Sequence, residues 1–205
     1  MECIIYTQRV ENVDSYQERR DCADQRIADF IYTCGYIPIP LPNRVDMLED
    51  IIREVHPRGI VLTGGNSLLK YGGNAPERDA VDYHLLEIAI RENLPVYGFC
   101  RGMQSILDFF GSELVNVEGH VANRHMIIKN DESIEVNSFH NQGCIEIGSK
   151  SELRIMALSE DGVIEAVQHN FYPIWGNMWH PEREEIFNER DIRQLKLIMK
   201  REGKV

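Results

Sequence analysis

The sequence predicts an α/β fold, a three-layer sandwich whose mostly parallel central sheet carries an antiparallel extension. In the first half of the chain, short apolar runs alternate with helical stretches, which is the pattern of parallel strands joined by crossover helices. In the second half, β-type stretches follow one another closely, which indicates antiparallel strands. A chain of 205 residues with 43% hydrophobic content can form one full core, so we expect a single domain over residues 1–205.

The elements of the first half are predicted from apolar spacing and from the residues that end each run. Apolar residues recur at helical spacing before Gly35, which ends that helix. Pro76 lies at the start of a later helix, and Pro95 follows its end. In chain order we expect a strand over 3–6, a helix over about 16–34, strands over 36–40 and 59–63, a helix over 76–92 and a strand ending at residue 99.

The second half is expected to contain short strands and one final helix. Helical spacing of Ile192, Leu195 and Ile198 predicts that helix over about 191–200. The strands are predicted over residues 126–128, 134–136, 144–147, 154–158, 163–167 and 174–178. No repeat, low-complexity segment or linker divides the sequence.

Charge and cysteine content limit the classes of partner. The 33 acidic and 22 basic residues give a net charge of −11, which disfavours nucleic acid binding and favours a small-molecule partner. No apolar run approaches the ~18 residues of a membrane span, and no basic leader opens the sequence, so we expect no membrane partner and a cytoplasmic location. The five cysteines are scattered without a C-x-x-C pair, which indicates neither a disulfide framework nor a zinc knuckle.

The strongest chemical signal is Cys100, in the run Gly98-Phe99-Cys100-Arg101-Gly102 between an expected strand and a helical pattern. Such a run is typical of a nucleophile elbow, because the tight turn excludes neighbouring side chains and holds the nucleophile strained and exposed. The N-terminus of the following helix stabilises a thiolate and offers N–H groups to an oxyanion. A buried cysteine beside a tight turn is the alternative.

A base for this thiol is available where His180-Pro181-Glu182 follows an expected strand. A nucleophilic thiol needs such a base and a group that orients it. Pro181 restrains the backbone, so the imidazole and the carboxylate leave a stiff turn. Taken singly, the two side chains could be a capping histidine and a solvated glutamate.

Together these motifs resemble those of the class I glutamine amidotransferases. They are Thr-Gly-Gly at 63–65, Gly-Phe-Cys-Arg-Gly-Met-Gln at 98–104 and Trp-His-Pro-Glu at 179–182, and their order covers nearly the whole chain. With Asn-Ser-Phe-His-Asn-Gln-Gly at 137–143, the pattern resembles the γ-glutamyl hydrolase branch, which includes γ-glutamyl-γ-aminobutyrate hydrolases. The resemblance implies a flavodoxin-like sandwich and hydrolysis of a γ-glutamyl amide to release glutamate, with no cofactor and no metal.

The resemblance also assigns the catalytic roles. Cys100 would be the nucleophile, His180 its base and then the acid for the leaving group, and Glu182 the residue that orients the imidazole. The backbone N–H groups of Gly65 and Arg101 would form the oxyanion hole.

Substrate contacts are implied for three further side chains. Gln104 lies one helical turn beyond Cys100, and His140 and Gln142 match the substrate-side loop of the family. A surface turn rich in Asn and Ser is the alternative for that loop.

Other stretches resemble a short subfamily that removes a γ-glutamyl group from a cytidine-diphosphate-linked phosphoramidate in capsule modification. They include Thr-Gln-Arg at 7–9, Gly-Gly-Asn at 72–74 and the run at 120–125, and the loop at 72–79 could close over the site. Candidates for the diphosphate are Arg9, Arg78, Arg101 and Arg124. An exposed polar loop is the alternative for 120–125, and no metal is expected there, because neither i, i+4 spacing nor a nearby cysteine completes a ligand set.

Three classes of function therefore stay open. A free-standing γ-glutamyl hydrolase acting on a small molecule is favoured, with the nucleotide-linked amidate ahead of γ-glutamyl-γ-aminobutyrate or another small γ-glutamyl amine. A glutaminase subunit that delivers ammonia to a synthase partner is the second class, and a non-catalytic binding protein is the third. A homodimer is compatible with each of them.

Overall fold

Thirteen strands are assigned in the computed structural model, which describes residues 1–129 and 131–200. They are β1 (Cys3–Tyr6), β2 (Arg9–Val13), β3 (Glu18–Cys22), β4 (Ile37–Pro40), β5 (Gly59–Leu62), β6 (Val96–Phe99), β7 (Val115–Asn116), β8 (Val121–Lys129), β9 (Glu132–Phe139), β10 (Gln142–Gly143), β11 (Leu153–Ser159), β12 (Ile164–His169) and β13 (Ile174–Asn177). Nine of them form one sheet, and β2–β3 and β7–β10 form two small ribbons.

The order of strands in the large sheet is β4-β1-β5-β6-β13-β12-β11-β8-β9. The five strands from β4 to β13 run parallel, with Gly98 of β6 opposite Gly176 of β13. From β13 to β9 each strand is antiparallel to its neighbour. The expected α/β fold with an antiparallel extension is therefore confirmed.

Helices cover both faces of the sheet and give the three layers. They are α1 (Gln25–Thr33), α2 (Val45–Val55), α3 (Pro76–Glu92), α4 (Arg101–Phe109) and α5 (Glu189–Met199). Leu48, Leu85 and Ile106 bring α2, α3 and α4 into the core on one face. Phe30 and Leu195 bring α1 and α5 into the core on the other. Within the described ranges, no helix combines the length and apolarity needed to cross a membrane.

The N-terminal part of the helix expected over 16–34 is instead a strand. β3 pairs with β2 as an antiparallel hairpin, and its Glu-Arg-Arg-Asp-Cys sequence has no apolar face for a helix to bury. Helix α1 begins only after Asp24, whose carboxylate accepts a hydrogen bond from the N–H of Arg26 at 3.0 Å. The Asn66 side chain anchors the hairpin by bonding both the N–H and the carbonyl of Val10, at 2.8 and 2.9 Å.

Three other elements differ from expectation. Helix α2 was not anticipated, although Leu48 and Ile52, one turn apart, form its buried stripe. The strand expected over 144–147 does not form, because β10 spans only Gln142–Gly143 and the chain bends directly after it. β13 was expected among the antiparallel strands, but the hairpin from β12 reverses the chain direction and returns β13 to the direction of β6.

The parallel strands bring several motifs to one edge of the sheet. Thr7 follows β1, Thr63 follows β5, Cys100 follows β6, and His180 lies three residues beyond β13. Open α/β sheets place ligands at the carboxyl ends of their strands. This edge is therefore where a site is expected.

Candidate active site

Cys100 lies at a strained junction between β6 and α4. Its φ is +50° and its ψ is −111°, an unfavourable region for a residue with a side chain. The flanking glycines make the turn possible, because a Cβ on Gly98 would lie 2.8 Å from the carbonyl carbon of Gly102, and a Cβ on Gly102 would overlap the backbone of Leu62. The geometry is that of a nucleophile elbow, and Cys100 is the N-cap residue of α4.

The imidazole of His180 is oriented by a buried carboxylate. Its Nδ1 lies 2.6 Å from Oε1 of Glu182, and both side chains are almost fully buried. The Asn137 side chain fixes the backbone of His180 by accepting from its N–H and donating to its carbonyl, each at 2.9 Å. Nε2 of His180 is buried and finds no hydrogen-bond partner among the described residues, which leaves it available to a reacting group.

The electrostatic environment favours a protonated His180. Burial alone lowers the pKa of His180, but the neighbouring Cys100 and Glu182 outweigh it and raise that pKa to about 10. A Cβ on Gly64 would lie only 2.8 Å from Cε1 of the imidazole, so the loop after β5 packs directly against the ring. The arrangement can hold a thiolate beside an imidazolium.

The second glycine of the Thr-Gly-Gly motif has a φ of +110°, and a Cβ there would meet Cβ of Arg9 at 2.7 Å. Nη1 of Arg78 donates to the carbonyl of Gly64 at 2.9 Å. Because the carbonyl of Gly64 and the N–H of Gly65 belong to one peptide plane and point in opposite directions, Arg78 orients the N–H assigned to the oxyanion hole. Sequence reasoning missed this role.

Two of the four arginines suggested for a diphosphate have guanidinium groups that are already engaged. Arg78 is fully buried, and its guanidinium also donates to the carbonyl of Thr63 at 2.6 Å. The Arg101 guanidinium, 1% exposed, is paired with Asp79 at 2.5 Å and with Asp82. Both guanidinium groups are therefore excluded as diphosphate ligands in this arrangement. The backbone N–H of Arg101 is a different case, because it lies in the first turn of α4 and has no acceptor within the helix.

The other two arginines lie on adjoining clefts. Arg9 lines the pocket around His180 and is paired with Glu11 at 2.6 Å. Arg124 lines the neighbouring cleft and donates to Glu184 at 3.0 Å. Arg183 lines both clefts. The two regions therefore meet at Arg183.

The structure joins the three expected substrate-binding side chains into one buried network. Nε2 of Gln104 donates to the carbonyl of Gln142 at 2.9 Å, and Nδ1 of His140 lies 3.1 Å from the same carbonyl oxygen. Nε2 of Gln142 donates to the carbonyl of Tyr71 at 2.9 Å. Among the described residues that line the pocket around His180, these three do not appear.

His120 and His125 lie against Glu165, a fully buried carboxylate, and so does His140. The spacing argument did not anticipate this set, because Glu165 lies 40 residues after His125 and 25 residues after His140 in the sequence. The signal that could have identified it is a glutamate within the otherwise apolar run at 163–167. Three of these side chains, His120, His140 and Glu165, could hold a metal ion.

Comparisons with known proteins agree on the family. The peptidase C26 family model matches residues 3–125 and 109–182. The γ-glutamyl-CDP-amidate hydrolase of Campylobacter jejuni is 33% identical over 193 residues, which cover 91% of this chain and 92% of that protein. The γ-glutamyl-γ-aminobutyrate hydrolase of Escherichia coli O157:H7 is 27% identical over 200 residues, covering 77% of each chain.

A solved structure shows the same fold. The glutamine amidotransferase from Thermotoga maritima superposes with a TM-score of 0.64 at 15% identity, covering 88% of this chain and 76% of that one. The family model spans most of the chain, and its range includes both the elbow and the His180–Glu182 pair. The chain belongs to the peptidase C26 family, within the class I glutamine amidotransferases.

Proposed function

We propose that this protein is a cysteine-dependent γ-glutamyl hydrolase. The observation that carries the proposal is the buried His180–Glu182 pair, 2.6 Å apart, at the same sheet edge as the strained elbow of Cys100. Relatives named as γ-glutamyl hydrolases support the same reaction class.

The reaction would proceed through an acyl-enzyme. The Cys100 thiolate attacks the γ-carbonyl carbon and forms a C–S bond, and the N–H groups of Gly65 and Arg101 hold the oxyanion. The C–N bond then breaks as His180 gives its proton to the leaving nitrogen. Water attacks the thioester, His180 accepts a proton from it, and cleavage of the C–S bond releases glutamate.

We further propose that the leaving group is a nucleotide-linked phosphoramidate. The Campylobacter jejuni relative named for that substrate matches nearly the whole chain. Arg9 and Arg183 line the pocket around His180, and Arg183 and Arg124 line the adjoining cleft. These guanidinium groups are the candidates to bind the anionic diphosphate.

A substrate panel tests this assignment. With γ-glutamyl-CDP-amidate, γ-glutamyl-γ-aminobutyrate and glutamine as substrates, initial rates of glutamate release should give the highest kcat/KM for the nucleotide amidate. Arg9→Gln should raise KM for that substrate by about 10-fold or more, since a charge-assisted hydrogen bond is lost, and should leave KM for the small amine nearly unchanged.

The control for Arg9→Gln is Arg20→Gln, on the same hairpin. Arg20 is exposed and paired with Glu18 at 2.6 Å, so its replacement should leave KM unchanged for both the nucleotide amidate and the small amine. Equal KM increases for both substrates in Arg9→Gln would contradict the nucleotide assignment. A preference for glutamine, strongly stimulated by a second protein, would indicate a glutaminase subunit.

The role of Glu182 predicts a characteristic pH profile. Glu182→Gln keeps the shape of the side chain but removes the negative charge that helps raise the pKa of His180. We expect kcat to fall by about 10²- to 10⁴-fold. Because the imidazolium is less stabilised, the alkaline limb of the kcat/KM profile should move to lower pH, away from the value of about 10 for His180 in the native protein.

Glu185→Gln is the matched control for that variant. Glu185 lies three residues after Glu182 and is exposed, so the Glu185→Gln variant should have the pH profile and the kcat of the native protein. A Glu182→Gln profile with an unshifted alkaline limb would show that the carboxylate does not act on the imidazole.

A further inference from the structure

Three histidines surround one buried carboxylate next to the candidate active site. Nδ1 of His120, Nε2 of His125 and Nε2 of His140 lie 3.3, 3.5 and 3.4 Å from Oε1 of Glu165. Glu165 is 0% exposed, and His120 and His140 are each 3% exposed. The ligand atoms of His120, His140 and Glu165 lie within 4.8 Å of one another.

These atoms face one another at ion-pair distance, but their geometry is not that of hydrogen bonds. In the part of the chain that the structure describes, the three ring nitrogens and both oxygens of Glu165 are buried and have no hydrogen-bond partner. Unpartnered buried polar atoms are costly, so five of them at one point need an explanation. A tetrahedral zinc ion with bonds of ~2.0–2.1 Å holds its ligand atoms about 3.3 Å apart, which is close to the three observed separations.

The outer nitrogens of two rings are bound as they are in metal sites. Nε2 of His120 lies 3.0 Å from Oδ2 of Asp161, and Nδ1 of His140 lies 3.1 Å from the carbonyl oxygen of Gln142. Metal-ligating histidines typically donate the other ring N–H to a carboxylate or a backbone carbonyl, which fixes the tautomer and aims the free lone pair at the metal. In both rings the remaining nitrogen faces Glu165.

We propose that His120, His140 and Glu165 bind a divalent transition metal of the zinc class. Imidazole and carboxylate are ligands that zinc accepts, and one carboxylate with neutral imidazoles leaves a modest net charge of +1 once the ion is bound.

The metal would tie the antiparallel strands to the active-site edge. His120 and His125 lie at β8, His140 follows β9, and Glu165 is on β12. The carbonyl of Glu165 accepts from the N–H of Met178 at 2.8 Å, two residues before His180. The Gln142 carbonyl beside His140 also holds Gln104 on α4, so the site supports both sides of the elbow.

The test measures metal binding rather than hydrolysis, so its result does not depend on whether the proposed hydrolase function is correct. The full chain carrying Cys100→Ala, which removes thiolate ligation at the elbow, is stripped with a chelator and titrated with Zn²⁺ and with Co²⁺. We expect one equivalent per chain, the visible absorption of tetrahedral Co²⁺, and a rise in Tm of about 5 °C or more at saturating Zn²⁺.

Variants locate the site. Glu165→Gln and His120→Ala should weaken Zn²⁺ binding by at least about 100-fold, while Asp161→Asn should weaken it by about 10-fold. Asp161 is half exposed, so its variant is expected to fold normally, and the exposed Glu160→Gln is its control. His169→Asn, at a buried histidine outside the cluster, should still bind one equivalent.

The proposal would be overturned if the protein bound neither Zn²⁺ nor Co²⁺ and its Tm did not change. It would also be overturned if Glu165→Gln bound the metal as tightly as the native site and Asp161→Asn bound it as tightly as Glu160→Gln. A Tm that depends on pH through these histidines but not on metal would assign the cluster to proton binding instead.

Discussion

Replacing Cys100 with alanine should lower kcat for glutamate release by at least ~10⁴-fold, because removal of the nucleophile abolishes acyl-enzyme formation. The variant should still fold, since alanine at a φ of +50° carries about the same backbone strain as cysteine. Initial rates with γ-glutamyl-CDP-amidate, γ-glutamyl-γ-aminobutyrate and glutamine measure the loss. Intact mass after a rapid quench should show a glutamyl adduct on the native protein and none on the variant.

Cys34→Ala is the matched control for the loss of a buried thiol. Cys34 is 1% exposed at the end of α1, and burial, the main influence on it, raises the pKa of Cys34 to about 12, so this thiol stays neutral and unreactive. Its variant should retain kcat and the adduct. Substantial hydrolysis by Cys100→Ala, or an adduct that persists in it, would refute the proposed nucleophile.

Replacing Arg101 with methionine should cost about 3–5 kcal/mol in the free energy of unfolding. The guanidinium is 1% exposed and pairs with Asp79 and with Asp82, which is itself fully buried. Without the arginine, the buried Asp82 carboxylate keeps its hydrogen bond from Ser105 Oγ, at 2.8 Å, but loses the guanidinium that pairs with it directly. Urea unfolding followed by circular dichroism measures the loss as a lower midpoint with an unchanged m-value.

Arg91→Met provides the surface comparison. Arg91 is about half exposed and pairs with Glu49 at 2.9 Å, so its removal should cost less than about 1 kcal/mol. The contrast also tests what the Arg101 side chain does. If Arg101→Met were as stable as Arg91→Met but had a much higher KM for the nucleotide amidate, the guanidinium would be a substrate ligand rather than a support for the elbow.

The sequence alone was informative where function depends on local backbone geometry. Gly98 and Gly102 around Cys100 predicted the elbow, because only glycine fits so close an approach of strand and helix. The short spacing of His180 and Glu182 likewise predicted a coupled pair, which the structure forms at 2.6 Å. The apolar runs predicted the alternation of strands and helices in the first half.

Local patterns failed where long-range contacts decide the structure. Residues 16–22 were expected to be helical, but pairing with β2 and anchoring by Asn66 make them a hairpin. The sequence offers Arg78 and Arg101 as ligands for an anion, but sequence spacing cannot show that their guanidinium groups already bind Thr63, Gly64, Asp79 and Asp82.

The sequence by itself determined the α/β fold, the elbow at Cys100 and the pairing of His180 with Glu182, because each depends on residues within a few positions of one another. Only the tertiary structure decided which arginines remain accessible and that His120, His140 and Glu165 converge. Residues 120, 140 and 165 belong to three separate segments that meet only when the antiparallel strands pair. The ring nitrogens of His120 and His140 face the same oxygen of Glu165 only because packing fixes the orientation of each ring.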